Sequence, residues 1–156
     1  MIDIRIPGRG DLALEHLVID YNGTMARDGE LLPGVREAVE SISSAVRVHV
    51  VTADTFGSAQ RALAGVPCRV EVLPSGRQDE AKRDYVRELG VDRVACVGNG
   101  ANDRLMLAEA ALGVAVIQDE GCAVAALEAA DVVCRSFADA IGLLQYPDRL
   151  VATLRS

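Results

Sequence analysis

LVIDYNGTMARDGEL, residues 17–31, holds the pattern that decides the fold. The apolar run Leu17-Val18-Ile19 delivers one carboxylate, Asp20, and Gly23-Thr24 follow at once. A short buried strand that stops on an acid and a glycine turn presents that acid at a sheet end, where a ligand can reach it. Two positions beyond Asp20, where a proton-transferring acid would serve such a site, stands Asn22.

Similar apolar runs recur along the chain. Val46–Val51, Cys68–Leu73, Val94–Val97, Val114–Ile117 and Val132–Cys134 read as strands, after an opening pair over residues 1–7 and 11–15 turned by Gly8-Arg9-Gly10. Gly34–Ser43, Ser58–Leu63, Asp79–Leu89, Asn102–Ala110, Cys122–Ala129 and Phe137–Leu144 read as helices, with a last one over 147–155. Gly34, Gly90 and Gly113 read as punctuation at helix boundaries. Buried strands alternating with amphipathic helices predict an α/β fold: a three-layer, doubly wound parallel sheet covered on both faces. Ligands on such sheets bind outside the carboxyl ends of the strands.

The length of 156 residues is expected to form one domain, 1–156. A net charge of -7 argues against nucleic acid as a partner, and the five Tyr and Phe side chains offer little for base stacking. No apolar run approaches the ~18 residues of a membrane span, and residues 1–10 lack a signal-peptide core, so a cytoplasmic protein is expected. Cys68, Cys96, Cys122 and Cys134 form no C-x-x-C pair and read as buried free thiols. Of sixteen Lys and Arg residues only Lys82 is lysine. A lone Lys among arginines fits a place where a compact ammonium is needed and a guanidinium is not.

Polar residues collect at the expected strand ends. The first strand runs into Asp20-Tyr21-Asn22-Gly23-Thr24, the second into Thr52-Ala53-Asp54, and the fourth into Gly98-Asn99-Gly100-Ala101-Asn102-Asp103, while Lys82 lies early in the helix after the third. In this order the residues resemble the haloacid dehalogenase superfamily, and in particular the phosphorylation domain of P-type ATPases cut free of its membrane part. The first motif of that family, D-x-D-G-T, or D-K-T-G-T in the pumps, stands here as D-Y-N-G-T. The T-G-D of the pumps stands as T-A-D, and G-D-G-x-N-D as G-N-G-A-N-D. Four motifs in order, over about residues 16 to 135, make the resemblance specific. Receiver domains also phosphorylate an Asp on a doubly wound sheet, but they carry an early acidic pair and no glycine-rich acidic loop after the lysine.

The resemblance implies a Mg²⁺-dependent phosphohydrolase. Asp20 would attack phosphorus in line and become an aspartyl phosphate. Mg²⁺ would lie among Asp20, the main-chain carbonyl of Asn22, Asn99 and the neighbouring Asp103. Thr52 and Lys82 would hold the transferred oxygens, with Gly23, Thr24, Ala53 and Asn102 completing the phosphate cradle. The plain alternatives are a turn cap for Asp20, a strand end for Thr52, and a solvated helix charge for Lys82. Asp54 could equally cap the next helix, and Asp103 could be a first-turn acid stabilised by the helix dipole. His16 and His49 show no partner in sequence and read as structural.

Two departures from the family pattern are of one kind, an amide for an acid at Asn22 and at Asn99. An amide at position 22 cannot protonate a leaving oxygen or activate water, a loss of roughly 10²–10⁴ in rate. With Mg²⁺ bound, Asp20, Asp103 and Lys82 would sum to +1, where the family's four carboxylates would give -1, so the site favours holding anions over turning them over. Both amides also precede glycine, the pairing most prone to deamidation. Residues 25–51 separate Thr24 from Thr52, room for a flap (Met25–Leu32) and one helix but no cap domain. An open site of this kind admits a phosphorylated small molecule or a phosphoprotein, or is closed by another copy in a homo-oligomer. A slow phosphatase is the expectation, with a phosphate- or partner-binding module that has drifted from catalysis as the alternative.

Overall fold

The computed structural model describes residues 1–54 and 56–156. Its centre is a six-stranded sheet in the order β10-β9-β8-β3-β6-β7, with every neighbouring pair parallel. These strands are β3 (His16–Asp20), β6 (Arg47–Thr52), β7 (Arg69–Val72), β8 (Val94–Gly98), β9 (Leu112–Val116) and β10 (Val132–Cys134). The order reverses between β3 and β8, so their carboxyl ends splay and open a crevice. Asp20 ends β3 and Asn99 follows β8, at the two sides of that crevice.

Alternation along β3 divides the core. Leu17 and Ile19 face one layer, formed with α1 (Val35–Ile42), α2 (Ser58–Ala62), α6 (Phe137–Gln145) and α7 (Pro147–Leu154). Val18 faces the other, formed with α3 (Gln78–Leu89), α4 (Arg104–Glu109) and α5 (Val124–Ala129). All five residues of β3 are buried, as a central parallel strand requires. The first layer is extended by an antiparallel hairpin, β1 (Ile2–Ile6) and β2 (Gly10–Leu14), whose inward residues Ile2, Ile4, Ile6, Leu12 and Leu14 join the core. A second hairpin, β4 (Ala26–Arg27) and β5 (Glu30–Leu31), is the flap after β3. The chain passes directly from β7 to α3, and no cap domain is present among the described residues.

The expected elements are found with shifted ends. Gly10 pairs with Ile6 instead of lying in the turn. The helix expected from Asn102 begins at Arg104, after a 3-10 turn over Ala101–Asp103. Gly113 is not helix punctuation but part of β9, paired with Cys96, and only glycine fits because a Cβ there would lie 2.3 Å from the Leu107 carbonyl oxygen. Among the described residues all four cysteines are free; Cys96 and Cys134 are buried, Cys68 and Cys122 only half-buried. No helix among the described residues is long and apolar enough to cross a membrane.

Candidate active site

The centre of the site is a buried lysine between two carboxylates. Lys82 Nζ donates to Asp20 Oδ1 at 2.6 Å and to Asp103 Oδ1 at 2.7 Å, and its residue is 1% exposed. Position 82 is on the first turn and a half of α3, and its side chain crosses the inner face of that helix to reach the end of β3. It is not a solvated helix charge. Burial alone would push the ammonium's pKa down, but the adjacent Asp20 and Asp103 carboxylates hold it above its ordinary value.

Asp20 feels the same surroundings with the opposite sign. Burial, and then the charge on Asp103, push its pKa up to about 7 against the pull of Lys82. Thr24 Oγ1 lies 3.2 Å from Asp20 Oδ2 and 3.2 Å from Asn99 Oδ1. A hydroxyl has one proton, so it cannot serve both oxygens at once. Asn99 is held in that orientation by its Nδ2, which donates to the Gly121 carbonyl at 3.1 Å.

Asp103 is fully buried and fully occupied. Its Oδ1 takes Lys82, while Oδ2 accepts from the amides of Asn99 at 2.9 Å and Gly100 at 2.8 Å. It fixes the turn after β8 and neutralises the lysine. Gly98 is required there, since a Cβ would meet Asp103 Cγ at 2.6 Å. Gly23 has φ +81, and a Cβ on it would strike Asn99 Nδ2 at 2.3 Å, so the turn after β3 can close against Asn99 only as glycine.

An open cavity of about 380 Å³ lies over this centre, lined by Asp20, Asn22, Thr52, Ala53, Lys82, Asn99 and Asn102 among others. Gly23, Thr24 and Asp103 do not line it; they support it from behind. Asn22 is exposed at its edge. Thr52 Oγ1 accepts from the Asp54 amide at 3.1 Å, and Asn102 Nδ2 donates to Gln78 Oε1 at 2.8 Å. Asp54 lines the cavity, and its Oδ2 accepts from the Ala59 amide in the first turn of α2 at 3.0 Å.

Gln118 is the residue that sequence reading missed. Its Nε2 donates to the carbonyls of Gly23 at 3.1 Å and Thr24 at 2.8 Å, and its Oε1 accepts from the Phe137 amide at 2.8 Å. One side chain thus ties the loop after β3 to the start of α6. Arg27 to Asp119 at 2.7 Å and the Asp28 amide to Glu120 at 3.2 Å fasten the flap to the same segment.

The oxygen donors can be tested against a hard cation. Among the described residues no group of three or more His, Cys, Asp or Glu is placed to hold a metal. Yet Asp20 Oδ2 and Asn99 Oδ1 converge on a single hydroxyl proton, two lone pairs sharing one donor. An all-oxygen set with few protein ligands suits Mg²⁺, which keeps several waters, and does not suit a soft metal. Asp103 differs from Asp20 in that its Oδ2 takes two main-chain amides, those of Asn99 and Gly100, which ties it to the turn after β8.

No protein-family model matches the chain. An uncharacterized protein of Methanocaldococcus jannaschii is 37% identical over 84 residues, 51% of this chain and 90% of that one. Among solved structures, the 3-deoxy-D-manno-octulosonate 8-phosphate phosphatase of Moraxella catarrhalis, in complex with magnesium, phosphate and KDO, superposes with a TM-score of 0.69 at 13% identity over 91% of this chain and 94% of that chain. The cobalt-bound form of the deoxy-D-mannose-octulosonate 8-phosphate phosphatase from Haemophilus influenzae gives 0.66 at 15%, covering 85% of this chain and 89% of that one. A zinc-transporting PIB-type ATPase in its E2.Pi state gives 0.63 at 22%, over 78% of this chain and 20% of the pump. The chain therefore belongs to one family with the archaeal protein, and its described residues carry the haloacid dehalogenase fold with no cap domain among them.

Proposed function

We propose that this protein is a phosphohydrolase that works through an aspartyl phosphate on Asp20, and that it is slow. The observation that carries the reading is the Asp20–Lys82–Asp103 cluster at the reversal point of the sheet, beneath an open cavity. In-line attack by the Asp20 carboxylate on a phosphate monoester forms the acyl phosphate and breaks the bond to the leaving oxygen. Lys82 and the Thr52 hydroxyl offset the charge that gathers on the transferred oxygens. Asn22 at the cavity edge has no proton to give, so the leaving oxygen takes one from water. Attack of a second water on the acyl phosphate then releases inorganic phosphate and restores Asp20. Asn22 cannot assist that step either, and hydrolysis is the slow half.

Asp20, Asn99 and the Asn22 carbonyl would hold Mg²⁺, which supplies the positive charge that lets a carboxylate approach a phosphate dianion. Magnesium and phosphate in the Moraxella structure, whose fold this chain shares, support a phosphate-handling site. The substrate is a phosphorylated small molecule or a phosphoprotein. The two amides favour one other reading, a module that binds phosphate without turning it over. Purified protein with Mg²⁺ should release phosphate from an aryl phosphate, and Asp20→Ala should not. Tight binding of beryllium trifluoride with no turnover would select the binding module instead.

A further inference from the structure

We propose that the rim of the cavity selects phosphate monoesters whose leaving group is uncharged and presents a flat apolar face, with the Phe56 ring as its platform; this rests on the phosphohydrolase reading. Phe56 lines the cavity and is 86% exposed, an unusual state for an aromatic ring beside a polar site. Its backbone is fixed from both sides. The Phe56 amide donates to Asp54 Oδ1 at 3.0 Å, and its carbonyl accepts from Arg61 Nη1 at 3.0 Å. The anchored backbone keeps the ring at the rim, and its open faces can stack against an apolar group.

Charge narrows the choice further. Among the described residues lining the cavity, Lys82 is the one cation, and it is already shared by Asp20 and Asp103. The guanidinium groups nearby are turned elsewhere. Arg61 is on the Phe56 carbonyl, Arg77 pairs with Glu80 at 2.8 Å, Arg104 pairs with Asp79 at 2.7 Å, and none of them lines the cavity. Asp54 stands on the rim itself, its carboxylate held ionised by the Ser58 hydroxyl and the first amides of α2. A leaving group with a second phosphate or a carboxylate would meet this acid and find no counter-charge. A neutral ring would lie against Phe56 and meet neither penalty.

The test compares kcat/KM for phenyl phosphate and 4-carboxyphenyl phosphate, with acetyl phosphate as a reference that has no ring. Phenyl phosphate should be preferred over its carboxylated analogue by about tenfold at low salt, and the preference should shrink as salt is raised. Carboxyphenoxide is the better leaving group, so intrinsic reactivity works against this result. Phe56→Ala should lower the phenyl-to-acetyl ratio by roughly threefold to tenfold. Phe56→Lys should invert the order of phenyl and carboxyphenyl phosphate. Equal rates for the two aryl phosphates, or ratios unmoved by both variants, would overturn the inference alone. No turnover of any of the three, acetyl phosphate included, would overturn the phosphohydrolase reading and this inference with it.

Discussion

Lys82 separates what spacing can and cannot say about a single residue. Its rarity and its place between two motifs pointed to the site, yet nothing in the sequence stated that it would be 1% exposed with a carboxylate on each side. From sequence, exchange for arginine would be expected to leave stability nearly unchanged. Burial reverses that expectation. Lys82→Arg forces a wider planar group into a filled space and should cost about 1–3 kcal/mol. Lys82→Met leaves Asp20 and Asp103 facing each other without a cation and should cost about 3–5 kcal/mol, read as a fall in melting temperature. A wild-type melt for Lys82→Met would mean that the three groups are not packed as described. Asn22 is the opposite case, exposed and unburdened by packing. Asn22→Asp should therefore raise aryl phosphate turnover by about 10² or more with no loss of stability, while wild type accumulates the phosphoenzyme. An unchanged rate would show that water activation does not limit the site. Neither amide should deamidate, although both precede glycine. The attacking nitrogens are held, Gly23 N by the Ala26 carbonyl at 2.8 Å and Gly100 N by Asp103 at 2.8 Å. Peptide mass spectrometry after long incubation at mildly alkaline pH reads this directly.

Elements were legible where periodicity is strong. Leu17–Ile19, Val46–Val51 and Val94–Val97 are buried parallel strands and read as such, and the helix containing Lys82 was placed to within one residue at its start. Ends were less legible, because they depend on partners distant in sequence. Leu112 and Gly113 belong to β9 through pairing with Ala95 and Cys96, not through any local preference. Gln118 was invisible for a stronger reason: an amide in a loop has no period, and its role comes only from three backbone groups brought to it by the fold. Those three bonds argue for a specific outcome. Gln118→Ala should leave the Phe137 amide and the Thr24 carbonyl without their partner and cost about 1–3 kcal/mol. Turnover should fall with it, since the loop carrying Asp20, Asn22 and Gly23 loses its tie to α6. Gln118→Glu would keep the acceptor for Phe137 and lose the donors to the loop. If it restores stability but not turnover, the tie to the loop is what the site needs.

On the scale of the whole molecule, the sheet has two ends with different chemistry. The carboxyl ends of β3 and β8 hold the acidic site. The opposite end holds a pair that sequence reading left unpartnered, because residues 33 positions apart become neighbours only when β3 and β6 align. His16 Nδ1 and His49 Nε2 are 2.9 Å apart, and His49 Nδ1 is 2.8 Å from the Tyr85 hydroxyl. One proton can be shared between the two rings, and a second has no lone pair to meet. Burial, then the neighbouring His16, Arg69 and Arg47, push the His49 pKa down to about 4, while Glu71 pulls weakly the other way. Burial and Arg47 lower His16 as well. The sign follows from proton counting. An unfolded His takes up its proton near pH 6.5, whereas His49 in the fold resists until about 4, so the unfolded chain binds more protons across that window. Stability from this pair is complete above neutrality and declines as pH falls from about 6.5 to 4. Discounted for the solvent that reaches the Arg47 side, the loss is on the order of 1–2 kcal/mol. Across thermal melts between pH 8 and 4.5 the wild type should lose stability relative to His49→Gln, a comparison that cancels the opposite contribution of Asp20, whose raised pKa favours the fold as pH falls below about 7; glutamine keeps hydrogen-bonding atoms and has no proton to bind. If the slope persists unchanged in that variant, the acid sensitivity belongs to other groups and the histidine pair is only packing.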